Sequence, residues 1–134
     1  MNKILIVHTS WYEDYISTMV DTSIKSLEKD FEYDIVIAPG SIELAALAKN
    51  KILQKKYVGI LFHGIVIRGE TSHYDLITNE TFRSIGSLAE NFYDLAIINN
   101  VICIENEDQL KERLIKVTLN NTNALIDLIN EKSS

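Results

Sequence analysis

Four short runs rich in Ile, Val and Leu constrain this chain most: Lys3–His8, Tyr33–Ala38, Val58–Phe62 continuing toward Ile67, and Leu95–Ile98 with Val101–Ile104 beyond it. They alternate poorly between apolar and polar residues. Strands buried on both faces read this way, as in parallel sheets covered by helices. The segments between them carry apolar residues three and four apart, the amphipathic helix signature. Ile16, Val20, Ile24 and Leu27 mark one stripe; Leu44, Leu47 and Ala48 a second; Ile77, Thr81, Ile85 and Leu88 a third. Leu110, Leu114 and Val117 mark a fourth, and Ala124, Leu125, Leu128 and Ile129 a fifth. The order β-α-β-α-β-α-β-α-α predicts a single α/β domain over residues 1–134. It is a three-layer sandwich with a four-stranded parallel sheet and helices on both faces.

Composition narrows the partners. The net charge is −6, and such a surface repels phosphate backbones, which argues against nucleic acid. An anionic substrate then needs a local cluster of cations or backbone N–H groups. The single cysteine, Cys103, lies in an apolar run and reads as a core residue in a reducing compartment. No apolar run reaches the length of a membrane span, and the N-terminus lacks the pattern of a secretory leader. The expected setting is cytoplasmic, with no membrane partner.

In sheets of this kind, sites form at the carboxyl ends of the strands. The segment Arg68-Gly69-Glu70-Thr71-Ser72-His73-Tyr74-Asp75 leaves the third strand and enters the third helix. Gly69 permits tight backbone geometry. Thr71 and Ser72 supply donors ahead of a helix N-terminus, where anions are favoured. These residues read equally well as a phosphate site or as a helix cap. His73 stands at the same mouth, and imidazole moves protons near neutral pH. His8 and His63 each close a strand run and are further candidates to line the cleft. Three histidines without matching carboxylates at ligand spacing make no metal site.

Pro39-Gly40-Ser41-Ile42-Glu43 follows the second strand, where Ser41 can cap the next helix and Glu43 can accept from substrate hydroxyls. Ser10-Trp11-Tyr12 follows the first strand and offers two adjacent aromatics for stacking on a flat ring. That loop lacks the glycine-rich dinucleotide pattern. Glu105 to Arg113 opens the fourth helix, and the Arg113 guanidinium suits bidentate phosphate binding.

Together and in order, these strand ends resemble lumazine synthase, from Ile4 to about Leu128. The most specific stretch is Val66 to Asp75, similar to the family's Val-Ile-Arg-Gly-x-Thr-x-His-aromatic-Asp. Pro39 to Glu43 resembles Pro-Gly-Ala-Phe-Glu, and Glu105, Gln109 and Arg113 resemble the family's acidic-Gln-Arg helix start. The resemblance implies a flavodoxin-like strand order and a set of roles. His73 is the general acid/base. Glu70 and Thr71, mainly through backbone N–H groups, bind the phosphate of the butanone substrate, with Arg113 as charge partner. Ser41, Ile42 and Glu43 hold the ribityl chain and pyrimidine, and Ile65, Val66 and Ile67 line the pyrimidine pocket. The stacking aromatic is Tyr12 in a gapless match and Trp11 after a one-residue shift.

The implied reaction needs no metal and no organic cofactor: an amine of the ribitylamino-uracil attacks the ketone, phosphate leaves, the ring closes and water is lost. The resemblance also implies a homo-oligomer, a pentamer with sites between subunits. The chain departs from the pattern in places: Glu13 replaces an Asn, Asn99-Asn100 replaces Phe-Gly, and Asn121-Thr122 replaces Lys-Gly. In related enzymes that Phe comes from a neighbouring subunit and borders the ring, so Asn99 is the residue expected there. These departures motivate a competing reading, a catalytically weakened protein that binds lumazine or flavin. A receiver-like signalling module is disfavoured, because its acidic strand ends are replaced by His8-Thr9-Ser10 and His63-Gly64.

Overall fold

The computed structural model describes all 134 residues. Strand β1 (Lys3–Thr9) is followed by α1 (Glu13–Leu27), β2 (Glu32–Ala38), a 3-10 turn (Ser41–Glu43), α2 (Leu44–Ile52), β3 (Gly59–Ile67), α3 (Tyr74–Asn91), β4 (Ala96–Ile104) and α4 (Glu107–Lys132). The four strands form one parallel sheet in the order β2-β1-β3-β4. All nine residues of β3 are buried, as the unbroken apolar run anticipates for a central strand.

Alternation along the strands divides the core between two helical layers. Leu5, Val7, Ile60, Phe62 and Val66 pack with Leu44, Ala45 and Ala48 of α2 and with Ile85 and Leu88 of α3. Ile4, Ile6 and Leu61 face the other way, against Leu27 of α1 and Leu125 and Ile129 of α4. Nearer the carboxyl ends, Ile65, Ile67, Ile102 and Ile104 meet Ile16, Met19 and Val20 of α1 and Leu110 and Leu114 of α4. No helix is long and apolar enough to cross a membrane.

Two boundaries differ from the sequence reading. The expected fourth and fifth helices are one helix of 26 residues. Its buried stripe runs Leu110, Leu114, Thr118, Thr122, Leu125, Ile129, so two buried threonines carry the stripe through a stretch that reads as polar. No Gly or Pro interrupts it, and helix propagation continues where nothing stops it. Likewise β4 is one strand through Asn99-Asn100. Asn100 is buried there, 1% exposed, because its side chain has partners inside the fold.

Those partners form a buried polar chain across the α1/α4 side. His8, His63 and Asn100 stand in one row of the sheet. His63 is fully buried, so it does not line the cleft, contrary to the expectation for a strand end. Its Nε2 is 3.0 Å from the Ser23 hydroxyl, which donates to the Val20 carbonyl. Its Nδ1 is 2.9 Å from the Asn100 amide nitrogen, which also donates to Thr118. The Asn121 side chain donates to Asn100 Oδ1 at 2.7 Å. Two of the positions that depart from the lumazine synthase pattern, Asn100 and Asn121, are therefore directly bonded to each other.

Candidate active site

The carboxyl ends of β1, β2 and β3 surround a cavity of about 600 Å³. Its apolar wall comes from Ile65, Val66 and Ile67 of β3, with Ile42 and Ile77. Pro39, Gly40, Ser41 and Glu43 form the side after β2, Glu70 and Thr71 the side after β3, and Trp11 and Tyr12 the side after β1. A mostly apolar concavity with a few converging polar groups is the usual form of a small-molecule site.

The two aromatics differ in what they are free to do. Tyr12 takes a left-handed backbone, φ 59°, which is uncommon for a residue with a β-carbon and costs about 1 kcal/mol or more. Its ring is half-buried against the Ile16, Met19 and Leu110 cluster. Burial, then Glu70 and Glu107, push its phenol pKa up. Trp11 is 66% exposed, and its indole N–H donates to the Pro39 carbonyl at 3.1 Å. One edge of the indole is fixed across the β1 and β2 loops while its faces stay open.

After β2, the backbone tightens into the 3-10 turn. Ser41 does not cap α2: neither the turn nor the helix has a side-chain cap, and the residue at the start of α2 is Glu43. Gly40 leaves room for the Glu43 carboxylate, whose Oε1 lies 2.9 Å from where a β-carbon would stand. Gly64 similarly lets Ser41 approach β3, with Ser41 Oγ 3.5 Å from its would-be β-carbon.

After β3, Gly69 adopts φ +90°, a conformation that favours glycine. The Glu70 amide bonds the Ile67 carbonyl, and Thr71 makes an isolated bridge to Arg68. Thr71 Oγ1 accepts from the His73 amide at 3.3 Å. His73 itself is the residue that starts α3, and it makes no side-chain cap. Neither Thr71 nor Ser72 caps the helix in the expected way.

His73, Asn99 and Arg113 do not line this cavity. His73 is exposed at the exit of the loop, and Arg113 is exposed on α4. Asn99 turns back on its own strand, its Oδ1 accepting from the Val101 amide at 2.8 Å on the outer edge of the sheet. Gln109 has a local role: its side chain accepts from the Glu105 amide while its own amide bonds the Asn106 side chain, both at 2.9 Å. This reciprocal arrangement resembles a capping box and closes the start of α4. Cys103 is half-buried, and burial alone raises its thiol to about 11, so it is no nucleophile at neutral pH. The cavity residue that the sequence reading assigned to the core and not to the site is Ile77. It belongs to the α3 core stripe, and only its place one turn from the loop marks it.

Comparison with known proteins identifies the family. The family model for 6,7-dimethyl-8-ribityllumazine synthase matches residues 1–131. A 6,7-dimethyl-8-ribityllumazine synthase of Bartonella tribocorum is 36% identical over 115 residues, covering 82% of this chain and 74% of the relative. 6,7-Dimethyl-8-ribityllumazine synthase 1 of Rhizobium meliloti is 35% identical over 112 residues, covering 79% and 72%. The enzyme of that name from Agrobacterium fabrum is 31% identical over 117 residues, covering 83% and 78%. With matching motifs at three strand ends and a family match over nearly its full length, the chain belongs to the 6,7-dimethyl-8-ribityllumazine synthase family.

Proposed function

We propose that this protein condenses 5-amino-6-(D-ribitylamino)uracil with 3,4-dihydroxy-2-butanone 4-phosphate to give 6,7-dimethyl-8-ribityllumazine, phosphate and water, in the cytoplasm. The observation that carries the reading is one cavity at three strand ends, with an apolar slot, an open indole and a polar loop at a helix start. The pyrimidine lies against Ile65–Ile67, under Trp11. Of the two aromatics, Trp11 has the open faces; Tyr12 packs inward. The backbone after Gly40, with Ser41 and Glu43, holds the ribityl hydroxyls. Glu70 and Thr71 hold the phosphate.

The chemistry is a sequence of proton-coupled steps. The 5-amino group adds to the ketone and loses water to give an imine. Phosphate is eliminated, and the ribityl-bearing nitrogen closes on the resulting carbonyl with loss of a second water. Holding both partners in register supplies much of the rate, and His73 carries protons between the reacting atoms. The working form is a homo-oligomer, a pentamer, in which Arg113 and Asn99 of one subunit complete the neighbour's cavity. This accounts for their lying outside the cavity of their own chain, and for exposed Leu76, Phe82, Ile115 and Leu119, which an assembly buries. Light scattering that returns 15.3 kDa, the mass of one chain, would remove the pentamer.

The function is tested by mixing the purified protein with both substrates and following lumazine formation against the uncatalysed background. Trp11 is the only tryptophan, so its fluorescence reports one site. The expected result is product above background together with quenching of Trp11 as lumazine is titrated. Quenching without product would favour the binding-protein reading and direct attention to Asn99, Asn100 and Asn121. Neither product nor quenching would remove both.

A further inference from the structure

The geometry assigns Arg68 a role in positioning the phosphate loop rather than in holding phosphate, an inference that rests on the phosphate reading of Glu70 and Thr71. Arg68 succeeds the last residue of β3, and its amide adds one more rung to the sheet by donating to the Ile104 carbonyl at 2.8 Å. From there its side chain reaches both anchors of the loop. Nε is 2.9 Å from a carboxylate oxygen of Glu105, at the junction of β4 and α4. Nη1 is 3.6 Å from Asp75 in the first turn of α3. The guanidinium carbon lies 4.2 Å from the centre of the Tyr74 ring. Residues 69–73 are thus spanned at their base by one side chain, which ties the end of the sheet to the first turn of α3.

An arginine beside an anion site is ordinarily taken as the anion's ligand. Here two carboxylates share its charge and an aromatic ring covers a face of its fork. The cluster of Arg68, Glu105 and Asp75 carries one positive and two negative charges, so it attracts no phosphate of its own. Exposed ion pairs add little to folding stability, and Arg68 is about half exposed. Its consequence is therefore local: it holds Gly69 at its left-handed turn and keeps Thr71 under the His73 amide. Lysine cannot replace it, because an ammonium has neither the planar fork nor the face that stacks.

The test compares Arg68→Ala, Arg68→Lys, Glu105→Gln and Thr71→Val by steady-state kinetics, with inorganic phosphate as a competitive probe and melting temperature as a check on folding. A positioning role predicts that Arg68→Ala and Arg68→Lys both raise KM for the ketone phosphate on the order of tenfold, leave KM for the ribitylamino-uracil nearly unchanged, and barely move the melting temperature. It also predicts that Glu105→Gln weakens phosphate inhibition, because the staple loosens. Tighter phosphate inhibition in Glu105→Gln would mean that a freed guanidinium binds the anion directly, and would overturn the inference. So would an unchanged KM in Arg68→Ala while Thr71→Val raises it. If Thr71→Val leaves KM unchanged, the phosphate reading of the loop fails first and takes this inference with it.

Discussion

Replacing His73 with alanine is expected to lower kcat by about 100-fold, the low end for loss of a general acid/base, while KM for each substrate moves by less than about threefold. The reason is geometric. His73 is exposed at the start of α3 and its ring caps nothing; only its backbone is engaged, the amide donating to Thr71 Oγ1 and the carbonyl accepting from the Ile77 amide. Removing the ring therefore leaves the cavity wall and the anion loop as they are, and subtracts proton transfer. The effect is held to the low end because placing the two reactants supplies much of the rate without it. Arg113→Ala is the contrasting variant. It removes a charge but no proton carrier, so it raises KM for the ketone phosphate and lowers kcat less. Steady-state assays separate the two patterns. A kcat for His73→Ala within about threefold of the parent would remove His73 from the mechanism.

The second large effect is on stability in acid. His63 is fully buried, and burial, with a smaller push from His8, lowers its pKa from 6.5 to about 3. The hydrogen bonds agree with a neutral ring. Nδ1 faces the Asn100 amide, which is a donor, so the ring proton sits on Nε2 and points to Ser23. A second proton would meet another donor. Below its usual pKa of 6.5, the unfolded chain takes up a proton that the folded chain refuses. Stability is therefore complete above that pH and falls as the pH drops toward about 3. The slope is about 1.4 kcal/mol per pH unit, so about 3 kcal/mol is lost by about pH 4.5, against a typical total of about 5–15 kcal/mol. Asp34 enters only at the acid end of this window, below about 3.8. The Tyr57 hydroxyl, then Lys55, hold its carboxyl at about 2, below the usual 3.8, so its contribution is lost as the pH falls between those two values. Urea denaturation across this range should show the slope in the parent and lose it in His63→Gln, which has no proton to gain. A flat parent profile would contradict a neutral, buried His63.

These two histidines look alike in the sequence. His63 and His73 each stand near the end of the third strand's run, and each is a reasonable cleft residue by position. Their difference comes from strand length. Because β3 continues to Ile67, His63 lies four residues inside the sheet, in register with His8 and Asn100, while His73 lies beyond the loop. The same holds for the departures from the family pattern. Asn100 and Asn121 read as two separate losses, of a glycine and a lysine. In the fold they are a bonded pair linked through Asn100 to His63 and Thr118. Core hydrogen bonding stands where the family pattern has a glycine and a lysine.

By itself, the sequence determined the class of fold and the segments that meet at the cavity. Both depend on local signals: unbroken Ile/Val/Leu runs for strands covered on two faces, three-and-four spacing for helices, and short motifs directly after strands. Trp11, Ser41, Glu43 and Thr71 were legible for that reason, since parallel strands must bring their carboxyl ends to one side; Ile65–Ile67 and Glu70 were marked only by the resemblance to the family. The tertiary structure alone decided what depends on partners far apart in the chain. It decided that α4 runs unbroken, because Thr118 and Thr122 are buried in the stripe. It decided that Trp11, tied to Pro39 28 residues away, is the open aromatic and Tyr12 the packed one. It also decided that Arg68 is spent on Glu105, 37 residues away. A residue's type states what bonds it can make; only the register of the sheet and the packing of the helices on it state which of those bonds are made.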